Sequence, residues 1–433
     1  MSKRWLAVLT LTVCTLPPAG SLSAAPPDPS PLDCAGPAGD AEPGTLEWYA
    51  RDAANMLCAQ ERHLDQAMHP VPILTAPPSL PPADAYRDPT RHDGVRFRFD
   101  AVSIGELAAE IYRPCTPGTC VGIPDELAAA EPPYPVVVSL HGGASYKELH
   151  WWSSQPLAEA GYLVVAFDAE GRAPTAEEAD AVLDWLFAPD NPYAGEADLD
   201  RIGIAGHSGG GVVASRLGQV DERLSAIVSW DRAQSGSMPD DLAIRTPALF
   251  LVADYNCQEV PICQPEPHAS APDPHGPGNK GDDFERLRAA GVDTMHIALR
   301  AALHLDFVPS ELSGNRWAEL VTVYYTLAWF DRYLKGAEDL GAAAAAFARL
   351  TGTMFDESAD RHNISQGLYD PAAAVTAGDL YAGNVPYRIE GTSVADRLSF
   401  YYRSRCHVTV PGSPAHAVTE DMRAEPCAEG EGG

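Results

Sequence analysis

Basic residues are scarce in this chain of 433 residues. It carries 30 Lys and Arg against 60 Asp and Glu, which gives a formal net charge of −30 at pH 7. Nucleic acids and anionic membranes are bound by clustered Lys and Arg, so this balance argues against both as partners. The excess acid is interpreted as a solvated surface.

Long apolar runs and metal-binding motifs are also absent. The N-terminal apolar run from Trp5 to Leu16 is too short to span a bilayer, and no later stretch is long and apolar enough. Neither Cys-x-x-Cys nor His-Glu-x-x-His occurs, which disfavours zinc. No metal or organic cofactor is implied by what remains.

The first residues have the form of a secretory signal peptide. Lys3 and Arg4 precede the apolar run, and Leu22-Ser23-Ala24 offers small residues for cleavage. We therefore expect residues 1–24 to be removed and the mature protein to be secreted or periplasmic.

An even number of cysteines remains after the signal. One of the nine lies in the signal peptide at Cys14, and an even set in an exported chain indicates disulfides. Proximity alone suggests the pairs Cys34–Cys58, Cys115–Cys120, Cys257–Cys263 and Cys406–Cys427. Zinc is the alternative use of these side chains.

The central motif is Gly206-His207-Ser208-Gly209-Gly210. The preceding run from Arg201 to Ala205 is apolar and strand-like, and the run from Val212 to Leu217 is typical of a helix. A strand that turns sharply into a helix at a serine forces strained backbone angles, which small flanking residues tolerate. The pattern predicts a nucleophile elbow that exposes the Ser208 hydroxyl.

An oxyanion loop is predicted upstream. The buried-strand pattern from Tyr134 to Leu140 ends in His141-Gly142-Gly143-Ala144. Backbone N–H groups in such a loop can turn toward a developing oxyanion. We expect the donors to be Gly209 N–H and that of Gly143 or Ala144, and the alternative is an ordinary turn.

The acid and the base should follow the serine in chain order. Asp254 ends the buried-strand pattern from Pro247 to Ala253 and is expected to orient the base. The rival acid is Asp231, which follows a strand-like run from Ser225 to Ser229. His304 lies in a loop after the next strand pattern and is the expected base. His296 falls inside that strand, and His268 and His275 lie in a Pro-rich stretch.

These segments in this order resemble the α/β-hydrolase superfamily. The likeness covers roughly residues 95–336 and includes a helix-to-strand step from Leu157 to Ala166 and a closing helix from Tyr325 to Gly336. Within the superfamily, the chain is similar to the secreted branch of dienelactone-hydrolase-like, platelet-activating-factor-acetylhydrolase-like and cutinase-like polyester hydrolases. The resemblance implies an α/β fold with a mostly parallel sheet and helices on both faces.

The same resemblance suggests substrate-binding residues. Trp230 matches the place of a substrate-clamping Trp in cutinase-like enzymes, although a core position is the alternative. Tyr255 beside the predicted acid is a further candidate for an apolar pocket. Gly209 stands where those enzymes often carry a bulky apolar residue, and true dienelactone hydrolases use Cys instead of Ser208.

Two smaller parts flank the predicted catalytic domain. Residues 25–94 are a Pro-rich leader with one helix-like pattern, and residues 95–336 are the catalytic domain. Residues 337–433 are interpreted as a C-terminal extension packed on the hydrolase.

The sequence thus predicts a secreted serine hydrolase that cleaves small-molecule or polymeric carboxylic esters. Ser208 attacks, His304 takes its proton and Asp254 holds His304 in the required tautomer. A secreted serine peptidase or amidase with the same machinery is the first alternative. A non-catalytic binding protein on a hydrolase scaffold is the second. The oligomeric state is not indicated.

Overall fold

The computed structural model describes the parts of the chain that surround the predicted site. These are residues 97–116, 131–143, 145–169, 171–232, 238–253, 282–299, 302, 304–307, 316–337, 339–361 and 389–403. All of them belong to one of the chain's two compact units, Cys34–Gly433. The predicted signal peptide, 1–24, and leader, 25–94, lie outside the described residues.

Within the described residues, nine strands form one sheet in the order β1-β2-β4-β3-β5-β6-β7-β8-β9. The strands are β1 (Phe97–Ile104), β2 (Leu107–Pro114), β3 (Tyr134–Leu140), β4 (Leu163–Phe167), β5 (Ala197–His207), β6 (Leu224–Trp230), β7 (Ala248–Ala253), β8 (Thr294–Leu299) and β9 (Leu398–Arg403). Strands β3 to β8 are parallel to one another. The pairs β1/β2, β2/β4 and β8/β9 are antiparallel.

Four of the interior strands are buried along their whole length. Every residue of β3, β4, β7 and β8 is buried. Parallel strands with helices on both faces are shielded from solvent on both sides. Their sequences are therefore mostly continuous apolar runs and do not alternate between apolar and polar residues. This is why the sequence marks them so clearly.

The helices cover both faces of this sheet. They are α1 (Trp151–Glu159), α2 (Ala176–Leu186), α3 (Gly209–Val220), α4 (Asp282–Ala289), α5 (Arg316–Phe330), α6 (Leu340–Thr351), α7 (Ser358–Arg361) and α8 (Val394–Arg397), with short 3₁₀ turns at Lys147–His150 and His304–Phe307 and a π-helical turn at Asp331–Lys335. Val137 packs in one core cluster with Trp152 of α1 and Trp329 of α5, whereas Val136 packs in the other with Leu183 of α2. Successive strand residues point to opposite faces, so each of the strands β1 to β8 contributes to both clusters. The fold is therefore α/β, with helices on both faces of a mostly parallel sheet.

The described part of the C-terminal extension packs on this core. Strand β9 adds to the sheet edge beside β8. Helix α6 is joined to the π-helical turn by Arg332, which donates to the Ala343 carbonyl, and by the ion pair between Arg349 and Asp331. Within the described residues, none of the helices has the length and apolar composition to cross a bilayer.

One disulfide reaches the described residues. Cys115, just after β2, is disulfide-bonded, and every other cysteine lies outside the described residues. The pairing of Cys115 with Cys120 stays a prediction.

Candidate active site

Ser208 occupies a sharp turn between β5 and α3. Its φ of 52° and ψ of −118° lie in a region that non-glycine residues rarely adopt, at a cost of about 1–3 kcal/mol. The turn is possible because the residues two positions before and two positions after Ser208 are glycines. A Cβ on Gly206 would lie 2.4 Å from the Gly210 carbonyl oxygen, and a Cβ on Gly210 would lie 2.4 Å from the His141 carbonyl oxygen. Ser208 N–H donates to the Trp230 carbonyl at 3.0 Å, which ties the turn to β6.

His304 connects this serine to a carboxylate. Its Nδ1 lies 2.5 Å from Asp231 Oδ2, and its Nε2 lies 3.1 Å from Ser208 Oγ. An ionised carboxylate only accepts, so Nδ1 carries the hydrogen and Nε2 is free to accept from the Ser208 hydroxyl. The arrangement has the order of a nucleophile, a base and an acid that orients the base.

Asp231 is held rigidly one residue beyond the end of β6. It has a φ of 37° and a side chain with no exposed surface. Its N–H donates to the Leu251 carbonyl at 2.6 Å, and its Oδ1 accepts from Ala253 N–H at 2.9 Å. Both carboxylate oxygens are therefore occupied, one by the backbone of β7 and the other by His304.

The partner of His304 differs from the first expectation of the sequence analysis. We expected Asp254, which follows β7, and ranked Asp231 after β6 as its rival. Asp254 lies outside the described residues, whereas Asp231 is in hydrogen-bond contact with His304. The carboxyl ends of β6 and β7 lie at the same edge of the sheet, so an acid after either strand is close to the site. Asp231 adopts a positive φ, and in this conformation its side chain contacts His304.

The loop after β3 brings the Gly143 amide close to Gly209, the residue that follows the serine. A Cβ on Gly209 would lie 3.9 Å from Gly143 N, and a Cβ on Gly143 would meet nothing within 4 Å. His141 fixes the loop: its Nδ1 donates to the Gly142 carbonyl at 2.7 Å, and its Nε2 accepts from Ala169 N–H at 3.0 Å. Ala144, the other expected donor, lies outside the described residues.

The two predicted substrate-binding residues are placed differently. Trp230 has no exposed surface, and its indole N–H donates to Thr326 Oγ1 at 3.0 Å. In this structure it is a core side chain that ties β6 to α5, and the assignment to a substrate pocket is corrected accordingly. Tyr255 lies outside the described residues.

Two buried histidines close to Ser208 and His304 were not predicted as site residues. His207 and His150 have ring centroids 5.6 Å apart, and the His150 ring stacks on Trp230 at 6.2 Å. Burial, together with the nearby His141, lowers the pKa of His150 to about 3. Burial, followed by the charges of His304 and His150, lowers the pKa of His207 well below its ordinary value. Both imidazoles are therefore neutral at physiological pH. The only sequence signal for His207 was its position immediately before the motif serine.

His296, which the sequence pattern places inside a strand, is a core side chain. His296 is buried in β8 and packs edge-on against the Phe284 ring at 6.1 Å. In the part of the chain that the structure describes, no group of three or more His, Cys, Asp or Glu side chains is placed to hold a metal ion. His268 and His275 lie outside that part.

The strand order and the serine elbow define an α/β-hydrolase fold. Among solved structures, the chain is similar to a ferulic acid esterase from Streptomyces cinnamoneus, with 19% sequence identity and a TM-score of 0.40. The match covers 56% of this chain and 91% of that chain. No protein-family model and no curated protein matches the sequence.

Proposed function

We propose that this protein is a serine hydrolase that cleaves carboxylic esters through an acyl-enzyme intermediate. The observation that carries the proposal is the continuous hydrogen-bonded chain from Ser208 through His304 to Asp231. A strained serine at the start of a 12-residue helix adds support, because the helix N-terminus favours negative charge close to the nucleophile.

Each residue then has a definite task. His304 Nε2 takes the proton of Ser208 as Oγ attacks the ester carbonyl, and Asp231 stabilises the imidazolium without taking that proton. The backbone N–H of Gly209 and that of Gly143 are the proposed oxyanion donors, each worth about 3 kcal/mol of transition-state stabilisation. His304 then protonates the leaving alcohol. Water attacks the acyl-enzyme in the second half of the reaction, again with His304 as the base.

The choice of esters over amides rests on the resemblance to secreted ester hydrolases, since this machinery serves both bonds. Export to an oxidising compartment is part of the proposal. It is supported by the N-terminal signal pattern and by the disulfide at Cys115.

The proposal is tested by hydrolysis of p-nitrophenyl esters from acetyl to palmitoyl. We expect the wild type to turn over and Ser208→Ala to lose nearly all activity with unchanged circular dichroism. A fluorophosphonate probe should label the wild type and not the variant. Equal activity of both proteins would show that Ser208 is not the nucleophile. A labelled but ester-inactive wild type would move the assignment to peptide or amide substrates, and an unlabelled, inactive wild type would favour a binding role.

A further inference from the structure

The 3₁₀ turn that carries the base is contacted by the residue immediately before the nucleophile. His207 Nε2 lies 3.2 Å from the His304 carbonyl oxygen. The His207 ring also lies 4.7 Å from the His304 ring and is nearly parallel to the Phe307 ring, with centroids 6.0 Å apart and an interplanar angle of 14°. Phe307, at the end of the turn, is fully buried.

We propose that His207 is a positioning residue that holds the backbone of His304 at reaction distance from Ser208. This inference rests on the proposed function. It adds a role for a side chain outside the proposed set of Ser208, His304 and Asp231.

The hydrogen-bonding pattern defines the state in which His207 does this. A carbonyl oxygen only accepts, so His207 Nε2 must carry the hydrogen. His207 Nδ1 is buried and has no hydrogen-bond partner among the described residues. The imidazole is thus a neutral donor with its Nε2–H directed to the base-bearing turn, and its lowered pKa agrees with that state.

The position of His207 in the chain explains why this contact matters. It is the last residue of β5, a strand in the centre of the sheet, and its backbone leads directly into Ser208. Its side chain holds His304, which lies 97 residues further along. His207 therefore connects the backbone of the nucleophile to the backbone of the base. A displacement of about 1 Å between Ser208 and His304 can cost about 100-fold in rate.

The test uses substitutions that separate the ring from its donor. His207→Phe keeps a ring to stack on Phe307 but removes the N–H. His207→Gln places an amide N–H near the former Nε2, whereas the shorter His207→Asn reaches only the Nδ1 position. His296→Phe is the matched control, because it removes a buried imidazole from β8.

We expect His207→Phe and His207→Asn to lower kcat for p-nitrophenyl esters by about 10- to 100-fold, with KM changed by less than about twofold. His207→Gln should recover most of the lost kcat, and His296→Phe should keep the wild-type kcat. Rescue by Gln but not by Asn is the result that a purely packing role would not give. If His207→Phe fails to fold, the comparison of Gln with Asn still decides the question.

Two other results overturn the proposal in distinguishable ways. If Ser208→Ala abolishes turnover while His207→Phe and His207→Asn keep the wild-type kcat, the positioning role is wrong and the serine hydrolase stands. If Ser208→Ala keeps full activity, or the wild type neither turns over esters nor reacts with the fluorophosphonate, the proposed function fails and the positioning role fails with it.

Discussion

The buried His150 should make the folded state less stable in mild acid, and the size of the effect follows from its surroundings. The side chain is 1% exposed and packs against the rings of Trp152 and Trp230. Burial lowers the pKa of His150 to about 3, against about 6.5 in an unfolded chain. Between these values the unfolded state binds a proton that the folded state excludes. Stability is therefore full above pH 6.5 and is lost as pH falls toward 3.

The loss can be worked out for two convenient conditions. At pH 7.5 the unfolded imidazole is mostly neutral, and at pH 5.5 it is about nine-tenths protonated. The linkage relation then gives a loss of about 1.4 kcal/mol from His150 alone between these pH values. The lower value stays above the isoelectric point near 4.6, at which solubility is poorest.

The measurement is urea unfolding of the wild type and His150→Phe at both pH values, followed by tryptophan fluorescence. The difference in unfolding free energy between the two proteins should change by about 1.4 kcal/mol in favour of the variant at pH 5.5. Trp152→Phe is the control, because it disturbs the same packing without removing a titrating group. A difference between the wild type and His150→Phe that is equal at both pH values would refute the reasoning.

Two further predictions concern the supports of the site. Gly210→Ala should lower the unfolding free energy by about 1–3 kcal/mol or more, since its Cβ would meet the backbone carbonyl of His141. Thermal unfolding of both variants measures this, and Gly143→Ala, whose Cβ would point into open space, should leave the melting temperature nearly unchanged. Arg232 forms an ion pair with Asp283, and both side chains are buried. Arg232→Met should cost about 3–5 kcal/mol in urea unfolding, whereas the double variant with Asp283→Asn should lose clearly less than that, because no buried charge is left unpaired. Equal losses in the single and double variants would contradict this.

The sheet and the sharp turn at Ser208 were predictable because their signals are local. The apolar run from Tyr134 to Leu140 coincides with β3, and the run from Pro247 to Ala253 differs from β7 by one residue. The helix after Ser208 starts at Gly209, three residues earlier than its apolar pattern indicates. Glycine lowers helix propensity, so propensity alone hides these first residues.

The surroundings of Ser208 depend on tertiary packing and could not be predicted in the same way. Trp230 occupies the sequence position of a substrate clamp, yet its indole is enclosed between β6 and α5. The contact of His207 with His304 joins residues 97 positions apart. Neither the enclosure of this one indole nor the contact between His207 and His304 leaves a recognisable pattern in the chain, and so both required the folded structure.

The sequence alone does not distinguish Asp231 from Asp254 as the acid that orients His304. Both residues follow a buried parallel strand, and both lie between the serine and the histidine in chain order. Only the contacts separate them. Asp231 Oδ2 lies 2.5 Å from His304 Nδ1, and its other oxygen is fixed by Ala253 N–H.

We therefore predict that Asp231→Asn lowers kcat on esters by about 10⁴-fold, because the Asn amide would donate to Nδ1 and leave the hydrogen on Nε2. In that tautomer His304 cannot accept the Ser208 proton. Asp254→Asn is the matched control and should stay within about threefold of wild type, with both proteins melting cooperatively. If steady-state kinetics showed the large loss of kcat for Asp254→Asn and the small one for Asp231→Asn, the acid would be Asp254, at the end of β7. The contact of His304 with Asp231 would then describe a resting arrangement instead of the reactive one.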